Sequence, residues 1–251
     1  MKILLLDIET APHKVYTWGL YNQNVAINQI EEPGYTLCWA AKWADDREMK
    51  YRSIHKDGKK KMLEGIHALI NEADAVVHYN GTRFDMPTLN QEFLSLDMSP
   101  PSSVIQIDLL LTARKRFRLP SNKLSFVAEY LGLGEKVAHK GMKLWRDCMA
   151  GDASAWRLME RYNKQDVRLL ASVYRKLLPW IANHPNHALF NGSSDMVCPN
   201  CGSKHVHKRG FFYTKTLAYQ RFQCQGCGAW SRARLTTLEI EKRRAVLVGV
   251  A

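Results

Sequence analysis

Residues 4–10 read LLLDIET, a run of aliphatic side chains that ends in two acids, Asp7 and Glu9. An apolar run of this kind is the pattern of a strand buried on both faces, and residues 2–8 are assigned to one. Buried carboxylates are costly unless something compensates them. The two acids therefore either cap a turn or hold a cation. Two apart on a strand, their side chains leave on the same face.

The neighbouring segments supply the rest of a sheet. YTLCWAAKWA (35–44) and MKYRSIH (49–55) predict two more strands around a turn at Asp45-Asp46. A helix is predicted over 59–71, where Met62, Leu63, Ile66, Leu69 and Ile70 form one stripe. AVVHY (75–79) reads as a short strand broken by Asn80-Gly81. A further helix begins near Asp85, with Pro87 tolerated in its first turn. VIQIDLLL is a strand running into a helix, and residues 124–179 are mostly helical, ending in a long helix over about 162–178. The order β-β-β-α-β-α-β-α predicts an α/β fold, a mixed sheet flanked by helices.

Four acids fall at element ends: Asp7, Glu9, Asp85 and Asp166. Tyr162 lies one helical turn before Asp166, so those two side chains share a face. Oxygen-rich clusters of this type hold Mg²⁺ or Mn²⁺. Singly, each residue has a plainer reading: Asp85 as a helix cap, Asp166 as a solvated helix face, Tyr162 as core packing.

Taken in order, LLLDIET, YNGTRFD and YNKQD resemble the three motifs of the DEDD 3′–5′ exonucleases, a superfamily with a ribonuclease H-like fold. The first motif is Asp7, Glu9 and Thr10. The second is Asn80, Phe84 and Asp85, and looks most like the exonuclease domains of family B DNA polymerases. The third, Tyr162 and Asp166, is similar to the tyrosine branch; Arg161 stands where the histidine branch would have its histidine. The resemblance covers roughly residues 1–180 and implies a five-stranded mixed sheet.

It also implies a two-metal hydrolysis of phosphodiesters, with the ions ~3.5–4 Å apart. Asp7 would bridge two Mg²⁺ or Mn²⁺ ions. Glu9 and Asp166 would complete the water-activating site, and Asp85 would serve the second ion. The Tyr162 hydroxyl would orient the nucleophile. Thr10 and Asn80 would contact the 3′ end, and Phe84 would pack near a terminal base.

The C-terminal part carries a second signal, CPNCGSKHVHKRGFFYTKTLAYQRFQCQGCG. Cys198 and Cys201 form one Cys-x2-Cys pair, and Cys224 and Cys227 form another 22 residues on. Four thiolates at this spacing suit one structural Zn²⁺, and the following Gly202 and Gly228 permit a positive φ. The module resembles a zinc ribbon, with β-strands between the pairs. Lys204, Lys208, Arg209, Lys215, Arg221, Arg232 and Arg234 are interleaved with Phe211, Phe212, Tyr213, Tyr219, Phe222 and Trp230. Basic residues among aromatics suit single-stranded nucleic acid. The alternative is that the aromatics are the module's own small core. Cys38 and Cys148, among apolar neighbours, are expected in the main core.

Charge agrees with a polyanionic partner. Formal net charge is +12 over 251 residues, and residues 191–251 hold ten Lys/Arg against three Asp/Glu. No apolar run approaches the ~20 residues that cross a bilayer. The N-terminus has no secretory pattern, so the expected location is cytoplasmic. The expected organisation is an exonuclease domain over 1–182, a linker over 183–195 rich in Asn, His, Gly and Ser, and a zinc ribbon with a tail over 196–251. The expected substrate is single-stranded DNA 3′ ends, with RNA as the alternative and nucleoside 5′-monophosphates as products. The chain has no room for a polymerase domain, so proofreading would require a separate polymerase partner. Two rival readings are a structure-directed endonuclease on the same scaffold and a non-catalytic nucleic-acid-binding protein.

Overall fold

The computed structural model describes residues 1–190, 192 and 194–250. Asn191 and Ser193, inside the predicted linker, lie outside the described residues. The chain separates into two compact units, Lys2–Arg175, and Lys176–Ala251 with Met1.

The first unit contains the strands β1 (Ile3–Thr10), β2 (Lys14–Val15), β3 (Ile30–Glu32), β4 (Thr36–Trp43), β5 (Lys50–Ser53), β6 (Ala75–His78) and β7 (Ile105–Asp108). Five of them make one sheet in the order β5-β4-β1-β6-β7. β1 pairs antiparallel with β4 and parallel with β6, so the sheet is mixed, as expected. The helices are α1 (Ile54–Asp57), α2 (Lys59–Glu72), α3 (Asp85–Ser95), α4 (Leu109–Arg116), α5 (Leu124–Tyr130), α6 (Met142–Met149) and α7 (Ala153–Leu177), whose last two residues fall in the second unit.

Two cores sandwich the sheet. Leu4, Leu6 and Ile8 of β1 pack with Met62, Leu63, Ile66 and Ile70 of α2 and with Met86, Leu89 and Phe93 of α3. That stripe on α2 is the one read from the sequence, with Leu69 packed at its margin. On the other side Leu37 and Cys38 meet Leu144 and Cys148 of α6 and Trp156, Met159 and Tyr162 of α7. Cys38 and Cys148 are buried core residues, as expected.

Two features differ from the sequence reading. α7 begins at Ala153 rather than near 162. Asp152 starts it, its Oδ1 accepting the Ala155 N–H at 2.7 Å, and Trp156 and Met159 extend the apolar stripe back toward it. Between β1 and β4 the chain makes a small hairpin of β2 and β3 that no alternation announces. Its tip exposes Tyr16, Trp18, Leu20 and Tyr21.

The second unit holds the antiparallel sheet β10-β9-β8, made of β8 (Val206–Tyr213), β9 (Ala218–Cys224) and β10 (Trp230–Arg232), followed by the short helix α8 (Ile240–Ala245). Strands with a four-cysteine cluster fit the small ribbon expected here. Among the described residues no helix is long and apolar enough to cross a membrane.

Candidate active site

β1 organises the site. Its alternation commits Leu4, Leu6 and Ile8 to the α2/α3 core and leaves Asp7 and Glu9 on the opposite face. α7 delivers Asp166 there, and carboxylate oxygens of Asp7, Glu9 and Asp166 lie within 4.8 Å of one another. Asp85 stands beside this trio. Its Oδ1 accepts the main-chain N–H of Ile8 at 3.2 Å, where β1 has run past its pairing with β6. Asp85 is therefore tied to β1 rather than capping α3, whose N-cap position is Phe84.

The loop that delivers Asp85 is built on close approach. A Cβ on Gly81 would sit 2.4 Å from the buried His78 ring, so only glycine fits. The Gly81 N–H donates to His78 Nδ1 at 3.1 Å. Asp108 accepts the N–H groups of Asn80, Thr82 and Leu110, fixing the loop and the start of α4 together.

All four carboxyls titrate high, and burial is the first cause in each. Glu9 is pushed up to about 8, with repulsion from Asp166 adding and Lys136 opposing. Asp85 is pushed up to about 7 against the N–H of Ile8. Asp7 is raised further by Glu9, Asp85 and Asp166. Asp166 is raised despite Lys136, whose Nζ lies 2.5 Å from its Oδ2 and 3.3 Å from the Tyr162 hydroxyl. Burial, then Asp166 and Glu9, push the Tyr162 phenol up, so it stays protonated at neutral pH.

One lysine cannot neutralise four carboxylates, and Asp166 Oδ1 is buried with no hydrogen-bond partner. The donors are oxygens, crowded and short of positive charge. This set fits hard divalent cations such as Mg²⁺ or Mn²⁺.

The other predicted residues are less closely gathered. Thr10 follows Glu9 across a bulge at the end of β1. Asn80 lines a cavity of about 530 Å³ with Tyr79, Arg114, Lys123 and Lys136. Phe84 is 44% exposed.

Three residues escaped the sequence reading. Lys136 comes from the stretch between α5 and α6, which has no periodicity to mark it. Asn163 is fully buried and donates to Asp7 Oδ2 at 2.7 Å. It sits inside YNKQD, and a polar residue on the buried side of a helix was the available signal. Trp145 meets the Tyr162 ring edge-on, 5.9 Å between centres.

In the second unit, the Cys198, Cys201, Cys224 and Cys227 sulfurs all lie within 4.8 Å of one another. Cys198 and Cys227 are 3.7 Å apart, and Cys201 and Cys224 are 3.6 Å apart. Tetrahedral zinc with Zn–S of about 2.3 Å requires edges of about 3.8 Å, so the sulfurs are spaced as zinc ligands. Gly202 and Gly228 have φ of 72° and 81°, the freedom expected of them. Burial raises the Cys224 thiol, but the N–H groups of Cys227 and Gly226 outweigh it and bring the pKa to about 7.

A family model described as RNase_H superfamily matches residues 4–178. Among solved structures the chain is similar to the family B DNA polymerase from the hyperthermophilic archaeon Pyrobaculum calidifontis, at 20% identity and a TM-score of 0.54. That likeness covers 71% of this chain and 24% of the polymerase. No curated relative matches.

Proposed function

The chain belongs to the RNase_H superfamily, and from that premise we propose that it is a metal-dependent 3′–5′ exonuclease. The observation that carries this reading is the convergence of Asp7, Glu9 and Asp166, with Asp85 on the adjoining main chain. These four would hold Mg²⁺ or Mn²⁺. Bound there, such ions supply an activated water, charge neutralisation on the phosphate and support for the leaving oxygen.

The chain's own groups do the positioning. Asn163 holds Asp7 Oδ2 and so fixes which carboxylate edge faces the cluster. Tyr162, kept protonated, donates its hydroxyl hydrogen bond to orient the attacking water rather than serving as a base. Lys136 offsets charge among the acids and also borders the basic cavity with Arg114 and Lys123, where a phosphate backbone would lie. Thr10 and Asn80 would meet the 3′ end, and the exposed ring of Phe84 would stack on a terminal base.

Single-stranded DNA is the favoured substrate, and the likeness to a DNA polymerase fold supports DNA over RNA. The domain division 1–182, 183–195 and 196–251 goes with this reading, as does a separate polymerase or repair partner. The test is digestion of 5′-labelled and 3′-labelled single strands with Mg²⁺ or Mn²⁺ by the chain and by Asp7→Ala. The expected products are a ladder shortening from the 3′ end and free nucleoside 5′-monophosphate, both lost in the variant. Equal digestion by Asp7→Ala would overturn the proposal.

A further inference from the structure

The second unit carries a surface that its own core does not use. Strand register pairs Phe212 with Tyr219, Arg221 with Arg232 and Gln223 with Trp230. Paired residues share a face, and so do positions two apart along β9. Phe212, Tyr219, Arg221, Trp230 and Arg232 therefore form one face of the ribbon. Ala218, Phe222 and Cys224 occupy the opposite alternation and are buried.

Among the module's aromatics Tyr219 and Phe222 are buried, Phe211 and Tyr213 are exposed on the opposite face of β8, and Phe212, 44% exposed, and Trp230, 53% exposed, lie on the arginine face. The two arginines lie on this face over the rings. The Arg221 guanidinium is 4.8 Å from the Trp230 ring centre, and that of Arg232 is 4.0 Å from Tyr219 and 5.7 Å from Phe212. Arg221 Nε donates to the main-chain oxygen of Arg209, which holds its plane in place. The surrounding sequence is one-sided in charge: residues 196–238 contain seven Lys/Arg and no Asp or Glu.

We propose that this arginine–aromatic face is a binding site for single-stranded nucleic acid, with phosphates on Arg221 and Arg232 and bases stacked on Trp230 and Phe212. Exposed ring faces next to fixed cations match an unpaired strand, which offers both base faces and phosphates. A duplex hides its base faces, and an acidic peptide would use the charge but leave the rings idle. Because the face shares a chain with the acid cluster, a strand held on it would be at raised local concentration for hydrolysis. The binding itself does not depend on the exonuclease reading.

The experiment reads binding alone, in the full chain with Asp7→Ala to prevent digestion. The probe is fluorescein-labelled oligo(dT), followed by anisotropy over a salt series, with the matched duplex and poly-glutamate as comparison ligands. Zinc content is measured in parallel. Trp230→Ala with Phe212→Ala is expected to weaken oligo(dT) binding by about tenfold or more. Trp230→Phe is expected to keep most of the affinity. Arg221→Gln with Arg232→Gln is expected to flatten the log–log salt slope by about 1.4, since each phosphate contact on a single strand contributes about 0.7. If the alanine pair loses zinc, the salt slope of the arginine pair carries the test. Wild-type affinity in a zinc-loaded alanine pair, or a wild-type salt slope in a zinc-loaded arginine pair, would overturn the proposal. So would poly-glutamate binding as tight as oligo(dT), because that is a surface for an acidic protein.

Discussion

Asp7, Glu9 and Asp166 come from opposite ends of the first unit's sequence and are held by a sheet and a long helix, both packed into large cores. Cys198, Cys201, Cys224 and Cys227 come from two tight turns, and their cluster buries little beyond themselves and Ala229. The carboxylates are placed by a scaffold that exists for other reasons. The thiolates are much of the scaffold. A metal should therefore be a guest at the first cluster and a structural member at the second.

The sharpest way to break this contrast is to remove one ligand from each. Cys224→Ser should abolish zinc retention and collapse the amide dispersion of β8–β10, because apparent zinc binding in small modules is worth about 10–16 kcal/mol of folding. Retained dispersion without zinc would show that the ribbon folds on its own core. Asp7→Ala should lower hydrolysis by about 10³-fold while the first unit keeps its secondary structure by circular dichroism. Unfolding of that variant would make the acid a scaffold member after all.

Smaller effects refine the comparison. Asn163→Ala should weaken apparent Mn²⁺ affinity about tenfold, read by metal titration, with Asn163→Asp failing to restore it. Unchanged affinity would remove Asn163 from the positioning of Asp7. The smallest effect is on stability. Glu9, held up to about 8, and Asp85, held up to about 7, keep protons in the folded chain that the unfolded chain gives up near pH ~4. Their contribution is complete below about pH 4 and is lost as pH rises through 7 and 8. With zinc in place and no added Mg²⁺ or Mn²⁺, melting of the first unit should fall by several degrees between pH 6 and pH 9. Added Mn²⁺ should restore more at pH 9 than at pH 6. A melting point that rises over that interval would mean the acids are compensated from within.

The same contrast explains what could be read in advance. Local signals survived: the buried run of β1, the stripe of α2, the Tyr162–Asp166 turn and the cysteine spacing are all short-range patterns. Lys136 and Asn163 could not be assigned, because their roles follow from which elements the tertiary fold brings together. Lys136 looks like any loop lysine until its Nζ is found on Asp166. Asp108 likewise read as part of a strand-to-helix run, and its three N–H partners come from the folded loop. The β2–β3 hairpin was missed because Trp18 and Tyr21 are exposed, and an aromatic without a buried face leaves no period to detect. In the ribbon, sequence left open whether the aromatics were core or surface, and burial divides them: Tyr219 and Phe222 are buried, and Phe211, Phe212, Tyr213 and Trp230 are exposed.

End-directed hydrolysis at the carboxylate cluster requires a free 3′ end. One single strand is offered in two forms, linear with a 5′ label and ligated into a circle, with Mn²⁺ and equal enzyme. Stepwise shortening of the linear form and an intact circle are expected. Cleavage of the circle at a comparable rate would show an endonuclease instead.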